Sequence, residues 1–411
     1  MINFIDGVFF FYMFLGFYML SLLILIYFPN RFKMFEYPKG FSEGVSIIMP
    51  CYNECKTIGF AIKALLNLDH PKELIEIIIV DDKSTDNSVE EIRKYERKYS
   101  NIRLIINEKN SGGAAEPTNL GVKAAKFDYI AVADADSVPD KDCLKKMIGF
   151  LQKDDSVGGV TCAVMVKNPK TFMQKLQSIE YASISFSRKL LDLIDSVYVT
   201  PGPFALYRKK ILLEIGLFDE KNLTQDIEIV WRMQSYGYKA RMCLAARVYS
   251  EAPNKFKDWL KQRIRWNIGG TQTLIKYKKF VFRKGMLGVF IVPFFSISLF
   301  IGLFGLGLFS YLLSQKILVN FLATKYSIYA ETTILRLQEL SFAPSILNFF
   351  GAILFLLGLF FTLFGLGIMR ELKQKHTNIF NITFYLLIYL AIYPFIMVIS
   401  LYKLARGNYS W

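Results

Sequence analysis

Apolar and polar positions divide the chain into a polar middle and apolar segments near both ends. Four segments carry no charged residue: 8–28, 286–313, 346–369 and 382–402. At a rise of ~1.5 Å per residue, each is long enough to cross a hydrocarbon core of ~30 Å. One such segment is equally typical of a buried core helix, but four favour a multi-pass membrane protein. The pattern predicts about four transmembrane helices, with an N-terminal anchor in residues 1–30 and a C-terminal transmembrane region in residues 286–411.

The polar middle alternates between two periodicities. Short apolar runs occupy 45–50, 75–80, 102–106 and 129–133, and helical periods occupy 57–68, 86–99 and 117–126. This alternation predicts a Rossmann-like α/β domain with a mostly parallel sheet over residues 44–250. In such sheets ligands bind at the carboxyl ends of the strands.

Acidic residues follow the predicted strands at those carboxyl ends. Asp134-Ala-Asp136 comes directly after the run 129–133. A carboxylate oxygen of Asp136 suits Mg²⁺ or Mn²⁺, which in turn would hold two phosphates. Asp134 is placed to reach a ribose or the same metal. Bound metal would neutralise the charge that develops on a departing nucleotide diphosphate.

Two other strand ends each allow two interpretations. In Pro50-Cys-Tyr-Asn-Glu54, Tyr52 either stacks on a pyrimidine ring or packs the loop. Asp82 either binds the ring imide or belongs to a helix-capping segment, 82–86, in which Ser84 is the expected cap. All of these residues would meet at one edge of a parallel sheet.

Two downstream motifs indicate an acceptor site. Residues 200–209 combine the backbone-restricting Gly202 and Pro203 with Phe204, as in the wall of an acceptor pocket or in an ordinary turn that leads into a strand. Asp226 opens a helical run, where it either caps the helix or acts as the base that takes a proton from an acceptor hydroxyl.

Two amphipathic segments, 171–194 and 254–275, are predicted either to lie in the headgroup plane or to pack on the sheet. The second contains Gln262-Arg-Ile-Arg-Trp266, and residues 251–285 as a whole form a predicted interfacial region. Much of the net charge of +15 lies in 255–284. Beside an apolar segment, this charge favours lipid headgroups or a nucleotide diphosphate over a merely solvated face. No nucleic-acid-binding signature is visible, so nucleic acid is not an expected partner.

Lys and Arg placement predicts the orientation of the domain. Arg31, Lys33 and Lys39 follow the first apolar segment, which puts the polar middle in the cytosol. The five cysteines form no CxxC pair, which is typical of reduced thiols in that compartment. The C-terminal tail carries Lys403 and Arg406 yet falls outside if all four segments cross. Either the tail departs from the charge rule or one segment does not span.

Six ordered motifs across residues 44–285 resemble the membrane-embedded family 2 glycosyltransferases, which include hyaluronan, cellulose, chitin-oligosaccharide and poly-N-acetylglucosamine synthases. The motifs are Pro50-Cys-Tyr-Asn-Glu54, Asp81-Asp82, Asp134-Ala-Asp136, Gly202-Pro-Phe204, Gln225-Asp226 and Gln262-Arg-Ile-Arg-Trp266. The resemblance implies a GT-A fold, a UDP-sugar donor and a divalent metal.

The resemblance also implies individual roles. Nucleotide contacts fall on Pro50, Tyr52, Glu54, Asp82, Asn110 and Asp134, the metal falls on Asp136 with Asp134, and the base is Asp226. Gly202, Pro203, Phe204, Gln262, Arg265 and Trp266 would hold the pyrophosphate and the acceptor. Arg pairs with phosphate in bidentate fashion, and indole stacks on sugar faces. Both facts agree with the roles implied for Gln262, Arg265 and Trp266.

Two positions depart from the family pattern. Gln225 stands where the family usually has Glu before the base, and Asn110-Ser-Gly-Gly-Ala114 lacks the Lys of the usual Asn-x-Gly-Lys-Ala loop.

The leading hypothesis is an inverting, processive synthase at the cytosolic face of the cell membrane, which extends a glycan and translocates it between its spans. The second is a single-addition transferase with a lipid-linked acceptor. A non-catalytic membrane scaffold is a third, and the complete set of acidic motifs argues against it.

Overall fold

Four apolar runs of the polar middle form neighbouring parallel strands. A computed structural model describes residues 4–330, 346–374, 377–407 and 409. The strands are β1 (Val45–Cys51), β2 (Ile75–Asp81), β3 (Ile102–Ile106) and β4 (Tyr129–Val132). Val45 of β1 lies opposite Ile75 of β2 and Tyr129 of β4. The predicted strands and their parallel pairing are confirmed.

Four more strands complete an eight-stranded sheet: β5 (Val138–Pro139), β6 (Val157–Val166), β7 (Ala205–Arg208) and β8 (Lys239–Ser250). The strand order is β3-β2-β1-β4-β7-β6-β8-β5. Strand β7 runs antiparallel to β4 and β6, and β5 runs antiparallel to β8, whereas β6 and β8 are parallel. The sheet is therefore mixed, with its parallel half where the strand pattern predicted it. Because β7 follows 200–204 directly, that segment is a turn into a strand.

Helices cover both faces of the sheet and extend beyond it. Their bounds are α1 (Phe4–Asn30), α2 (Ile58–Leu66), α3 (Ser88–Glu96), α4 (Ala115–Ala124), α5 (Cys143–Lys153), α6 (Phe172–Asp192), α7 (Lys209–Glu214), α8 (Gln225–Ser235), α9 (Phe256–Tyr277), α10 (Val292–Tyr329), α11 (Ile346–Ile368), α12 (Ile379–Phe384) and α13 (Tyr393–Ala405). Side chains of β1 alternate between two cores: Ile47 belongs to one and Ile48 to the other. The second core continues through Phe186 of α6 to Leu366 of α11 and Ile396 of α13. The sheet and the apolar helices thus share one hydrophobic core.

The two amphipathic segments form α6 and α9, and both are packed against protein. Helix α6 begins with a capping box, in which the Thr171 hydroxyl accepts from the backbone N–H of Gln174. It lies between strands β6 and β8 on one side and α11 on the other, so packing on the sheet is confirmed for this helix. Helix α9 packs against α8, α10 and α13. It connects the α/β domain to the apolar C-terminal helices.

Three described stretches are long and apolar enough to span a membrane: Ile5–Lys33, Leu287–Tyr329 and Ile379–Ala405. The fourth predicted segment, 346–369, forms α11, whose described apolar part is the shorter Ala352–Ile368. Large apolar side chains point outward along these helices, among them Phe14, Leu25, Phe300 and Phe360. Such a surface is suited to lipid. The Lys and Arg bias also predicts that the basic turn 370–376 faces inside, and residues 375–376 of that turn lie outside the described part.

Helices α8 and α9 approach closely at Gly269. A Cβ atom at this position would lie 2.6 Å from the Thr224 backbone nitrogen and 2.3 Å from its hydroxyl oxygen. The next residue, Gly270, has nothing within 4 Å of an added Cβ. The absence of a side chain at Gly269 therefore sets the distance between α9 and the start of α8.

We expect Gly269→Ala to lower the melting temperature of the detergent-solubilised protein, because a methyl group forced against backbone costs about 1–3 kcal/mol. The matched variant Gly270→Ala should keep or raise it, since Gly in a helix is about 1 kcal/mol less favourable than Ala. Thermal unfolding followed by circular dichroism compares the two. Equal shifts in both variants would contradict the close-approach argument.

Candidate active site

The carboxyl ends of β1, β2 and β4 meet at one edge of the sheet, as the strand pattern predicted. The Asp82 amide donates to the Cys51 carbonyl (2.8 Å), which joins the ends of β2 and β1. The Ala133 amide donates to the Ile48 carbonyl (2.9 Å), which joins β4 to β1 just before Asp134. Polar side chains that are far apart in sequence therefore share one rim.

A cavity of about 260 Å³ opens beside this rim. It brings together residues from the sheet, from α6, from the 201–203 turn, from the start of α8 and from α9. Eight of the residues predicted for the site line it: Asp134, Asp136, Gly202, Pro203, Asp226, Gln262, Arg265 and Trp266.

Asp134 lies at the most crowded point of the cavity. Burial, followed by repulsion from Asp136 and Asp226, raises the pKa of its carboxyl to about 8, and the positive charge of Arg265 opposes this. The backbone at Gly202 passes so close that a Cβ there would lie 2.8 Å from Asp134 Oδ1. A side chain at 202 would force the Asp134 carboxylate to move, because that carboxylate occupies the space that a Cβ would need.

Asp136 is held by hydroxyl groups. Ser137 Oγ donates to its Oδ1 (2.8 Å), and Ser250 Oγ lies 3.5 Å from the same oxygen. Burial raises the pKa of Asp136, and the negative charge of Glu251 adds to the effect. Burial also raises the pKa of Glu54, with further contributions from Asp136 and Glu251. Glu54 thus lies within electrostatic range of Asp136 without lining the cavity.

Asp226 is the second residue of α8, which begins at Gln225 with Thr224 as its N-cap residue. The interpretation of Asp226 as the cap is therefore wrong. Burial raises the pKa of its carboxyl, and Arg265 is the strongest influence that lowers it. Because it is in the first turn, Asp226 also lies at the positive end of the helix dipole. These positive charges favour an ionised carboxylate inside the cavity.

Asp82 and Asn110 form a separate cluster next to the cavity. The Asp82 carboxylate accepts from Ser111 Oγ and from Asn107 Nδ2, each at 2.8 Å. Asn110 Nδ2 donates to the Asp82 carbonyl oxygen (2.9 Å). Asp82 therefore holds the 107–111 loop at the sheet edge.

Helix α3 begins at Ser88 with Asn87 as its N-cap residue, and the Asp86 carboxylate at the end of the 82–86 segment accepts from the Ser88 amide (3.0 Å). The expected cap, Ser84, instead accepts through Oγ from the Asn53 amide (2.9 Å), so that interpretation is wrong. Tyr52, 48% exposed, is not packed into its loop. Pro50 lies within β1. The nucleotide roles of these residues stay predictions.

Phe204 differs from the other residues of its motif. Its side chain is fully buried in the core beneath the sheet, whereas Gly202 and Pro203 line the cavity. A large apolar side chain that precedes β7 by one residue is pulled into the core by burial of its surface. Phe204 therefore packs behind the cavity wall formed by Gly202 and Pro203 and does not line the cavity.

Helix α9 presents Gln262, Arg265 and Trp266 to the cavity. Burial lowers the pKa of Arg265, and the carboxylates of Asp226 and Asp134 oppose that shift. The guanidinium thus lies among the acidic groups and balances part of their charge. The spacing 262, 265, 266 places all three side chains on one helix face.

Arg263, a variable position within the Gln-x-x-Arg-Trp motif, was missed by the motif argument. Its guanidinium is fully buried, donates to Glu180 of α6, and lies 4.1 Å from the centroid of the Trp266 ring. It also donates to Gln262 Oε1 (2.8 Å). One buried cation therefore orients two of the residues that line the cavity.

The apolar C-terminal helices complete this network. Tyr389 donates to Glu180 Oε2 (2.7 Å), and Tyr393 donates to the other carboxylate oxygen. Trp259 Nε1 in turn donates to the Tyr389 hydroxyl. The only signal in the sequence was the pair Tyr389 and Tyr393 within an apolar segment, but the partners of these tyrosines lie more than a hundred residues away.

Comparison with known proteins agrees with this geometry. Residues 46–216 match the family model "Glycosyl transferase family 2". Residues 46–216 therefore carry a family 2 glycosyltransferase domain, which confirms the GT-A fold implied by the motifs, and the apolar helices are those that the uncharged segments predicted.

Its curated relatives include poly-β-1,6-N-acetyl-D-glucosamine synthases. That of Staphylococcus aureus (strain COL) is 32% identical over 235 residues, which is 57% of this chain and 56% of the relative. That of Staphylococcus epidermidis is 30% identical over 270 residues, 66% of this chain and 65% of the relative. The chain thus spans less than two thirds of these proteins.

Among solved structures, the mannosyltransferase PcManGT from Pyrobaculum calidifontis, in complex with GDP-Man and Mn²⁺, matches with a TM-score of 0.55. The match covers 95% of this chain and 96% of that one at 16% identity, so it shows a common fold.

We expect Glu180→Gln to destabilise the protein by about 3–5 kcal/mol, because it leaves the buried Arg263 without its counter-ion. Asp69→Asn is the matched control: it removes the acid of the Lys145–Asp69 pair, whose side chains are 66% and 62% exposed. The control should leave the melting temperature nearly unchanged, since exposed pairs contribute little. Similar melting temperatures for the two variants would show that the buried network does not stabilise the fold.

Proposed function

We propose that the protein transfers a sugar from a UDP-sugar to an acceptor hydroxyl, with inversion at the anomeric carbon. The observation that supports this most directly is the shared cavity of Asp226, Asp134, Asp136 and Arg265. A base, a phosphate-binding cation and metal-binding carboxylates are the groups that such a transfer needs.

In this mechanism Asp226 is the general base. Its carboxylate takes the proton of the acceptor hydroxyl as that oxygen bonds to the anomeric carbon. The bond between this carbon and the phosphate oxygen breaks on the opposite face, and UDP leaves with the bonding electrons. Burial gives Asp226 a raised pKa and so a higher proton affinity, while the positive charge of Arg265 opposes that rise.

Helix α9 positions both substrates. Arg265 and Gln262 bind the diphosphate, because a guanidinium pairs with phosphate oxygens in bidentate fashion. Trp266 offers its indole to the terminal sugar of the acceptor, while the opposing contact with Arg263 fixes the ring. Asp82, Asn110, Tyr52, Pro50 and Glu54 form the nucleotide side of the site next to this cavity.

Asp136 and Asp134 would hold a divalent cation. Among the described residues, no cluster of three or more His, Cys, Asp or Glu side chains is arranged as a metal site. Two crowded carboxylates fit a Mg²⁺- or Mn²⁺-type ion that takes its other ligands from substrate phosphates and water. Burial and, after it, repulsion from Asp136 and Asp226 raise the pKa of Asp134, and a bound cation would oppose both effects. When bound, the ion stabilises negative charge on the departing diphosphate.

Extension of a glycan chain is the favoured outcome of the sugar transfer. The chain is similar to enzymes named as poly-β-1,6-N-acetyl-D-glucosamine synthases, so UDP-N-acetylglucosamine is the first donor to test and a β-linked glycan the first acceptor. The described part of the chain has three helices that meet the length and apolarity of a span. A small number of spans favours the second candidate, a single addition to a lipid-linked acceptor.

The site faces the cytosol in this proposal. Arg31 and Lys33 follow α1 directly, and Lys39 lies a few residues further on. Basic residues at the end of a span remain on the cytosolic side. The donor would then be drawn from the cytosolic pool, and the outward-facing apolar surface of the long helices would contact membrane lipids.

We expect Asp226→Asn to lower the rate of UDP release by about 10²–10⁴-fold, the usual contribution of a general base, while UDP binding is retained. Purified protein with radiolabelled UDP-sugars and Mn²⁺ provides the rate, and sizing of the labelled product distinguishes a polymer from a single addition. Asp155→Asn, at a 98% exposed side chain, is the control. Undiminished turnover in Asp226→Asn would place the base elsewhere.

Metal dependence is tested by titration. Chelation with EDTA should stop UDP release, and added Mn²⁺ should restore it. Asp136→Asn should raise the Mn²⁺ concentration for half-maximal rate by more than the roughly 10-fold that loss of an outer-shell partner costs. Full activity in EDTA, or an unchanged Mn²⁺ requirement in Asp136→Asn, would contradict the assignment.

A further inference from the structure

Two polar groups in the cavity wall are buried without a hydrogen-bond partner. Arg188 of α6 is 5% exposed, and its Nε and Nη1 have no acceptor within the described part of the chain. Gln225, the first residue of α8, has a buried Oε1 that receives no hydrogen bond there. Leaving buried donors and acceptors unpaired is costly. Both residues line the cavity, so a ligand bound there can supply the missing partners.

Both residues border the base. Gln225 precedes Asp226 in α8, and the charge of Arg188 acts on the Asp226 carboxyl. The proposed reaction takes place at this carboxylate. A group that contacts Arg188 and Gln225 therefore belongs to one of the two sugars that meet at Asp226.

An anionic group cannot be the shared partner of both residues. A carboxylate or phosphate would accept from Arg188, but it would offer nothing to Gln225 Oε1, which needs a hydrogen-bond donor.

An uncharged amide satisfies both residues. Its oxygen accepts from Arg188, and its N–H donates to Gln225 Oε1. A hydroxyl must serve both partners through one atom, whereas an amide presents its acceptor and its donor on separate atoms. Gln225 is suited to this role because, unlike Glu, it brings no additional charge to an acidic cavity.

We propose that Arg188 and Gln225 form a subsite for the acetamido group of a 2-acetamido sugar. This deepens the proposed function and rests on it. The acetamido group belongs either to the donor sugar or to the terminal sugar of the acceptor. In both cases the subsite distinguishes acetylated from unacetylated sugars.

The test compares substrates with and without the acetamido group, using the full-length enzyme in detergent with Mn²⁺. One arm compares UDP-N-acetylglucosamine with UDP-glucose as donor. The other arm compares N-acetylglucosamine oligomers with glucosamine oligomers as acceptor. The measured quantity is the ratio of kcat/KM for the acetylated over the unacetylated substrate. We expect a ratio of roughly tenfold or more in the arm whose sugar occupies the subsite, since buried polar groups left unpaired reject the analogue.

Arg188→Gln and Gln225→Leu should each bring this ratio close to one. Arg103→Gln, which alters an arginine half exposed on β3, should keep the wild-type ratio. A merely structural role of Arg188 would lower both rates together and would leave the ratio unchanged.

The outcomes separate the two proposals. Sugar transfer with a ratio that neither Arg188→Gln nor Gln225→Leu changes overturns the subsite and leaves the proposed function intact. Release of UDP from no donor by the wild-type enzyme overturns both. If Arg188→Gln does not yield folded protein on size-exclusion chromatography, Gln225→Leu decides by itself, because it removes no charge from the core.

Discussion

Repulsion among carboxylates is the constraint on which the arrangement of the site depends. Asp134, Asp136, Asp226 and Glu251 face one cavity of about 260 Å³. Burial and mutual repulsion raise the pKa of Asp134 to about 8. Isolated carboxylates do not remain charged in such surroundings unless cations or dipoles compensate them. The fold supplies that compensation from several elements, and each of them must be in place for the acidic groups to share a cavity.

Helix α9 supplies the central part of this charge compensation. Arg265 lies among the carboxylates, and its position depends on how closely α9 approaches α8. Gly269 permits that approach because it presents no Cβ to Thr224. On the opposite wall the same requirement appears at Gly202, where the backbone passes against Asp134. Close backbone contact at these two glycines brings Asp226, Asp134 and Arg265 together.

The Glu180–Arg263 pair couples the site to the apolar helices. Arg263 holds Gln262 and Trp266 on the cavity side, while Tyr389 and Tyr393 hold Glu180 from the C-terminal region. A buried pair of this kind stabilises little by itself, but loss of one partner leaves a charge that the interior cannot solvate. Movement of the C-terminal helices would therefore be transmitted to the residues proposed to bind the acceptor. This network physically connects the glycosyltransferase domain to the apolar helices.

Sequence patterns by themselves determined the parallel half of the sheet, the acidic strand ends and the polar face of α9. These features depend on local periodicity and on the rule that parallel strands end at one edge, so they require no knowledge of distant contacts. The antiparallel strand β7, the burial of Phe204 and the bonding of Ser84 to Asn53 were decided only by the tertiary structure. The surroundings of Arg263 and Arg188 were also decided only by the tertiary structure. A charged residue in an amphipathic helix has the same local sequence pattern whether its side chain contacts water, a buried acid or a cavity. Which of these it meets depends on chain segments far away in sequence, and only their packing sets the solvation and hydrogen bonding that give such a residue its function.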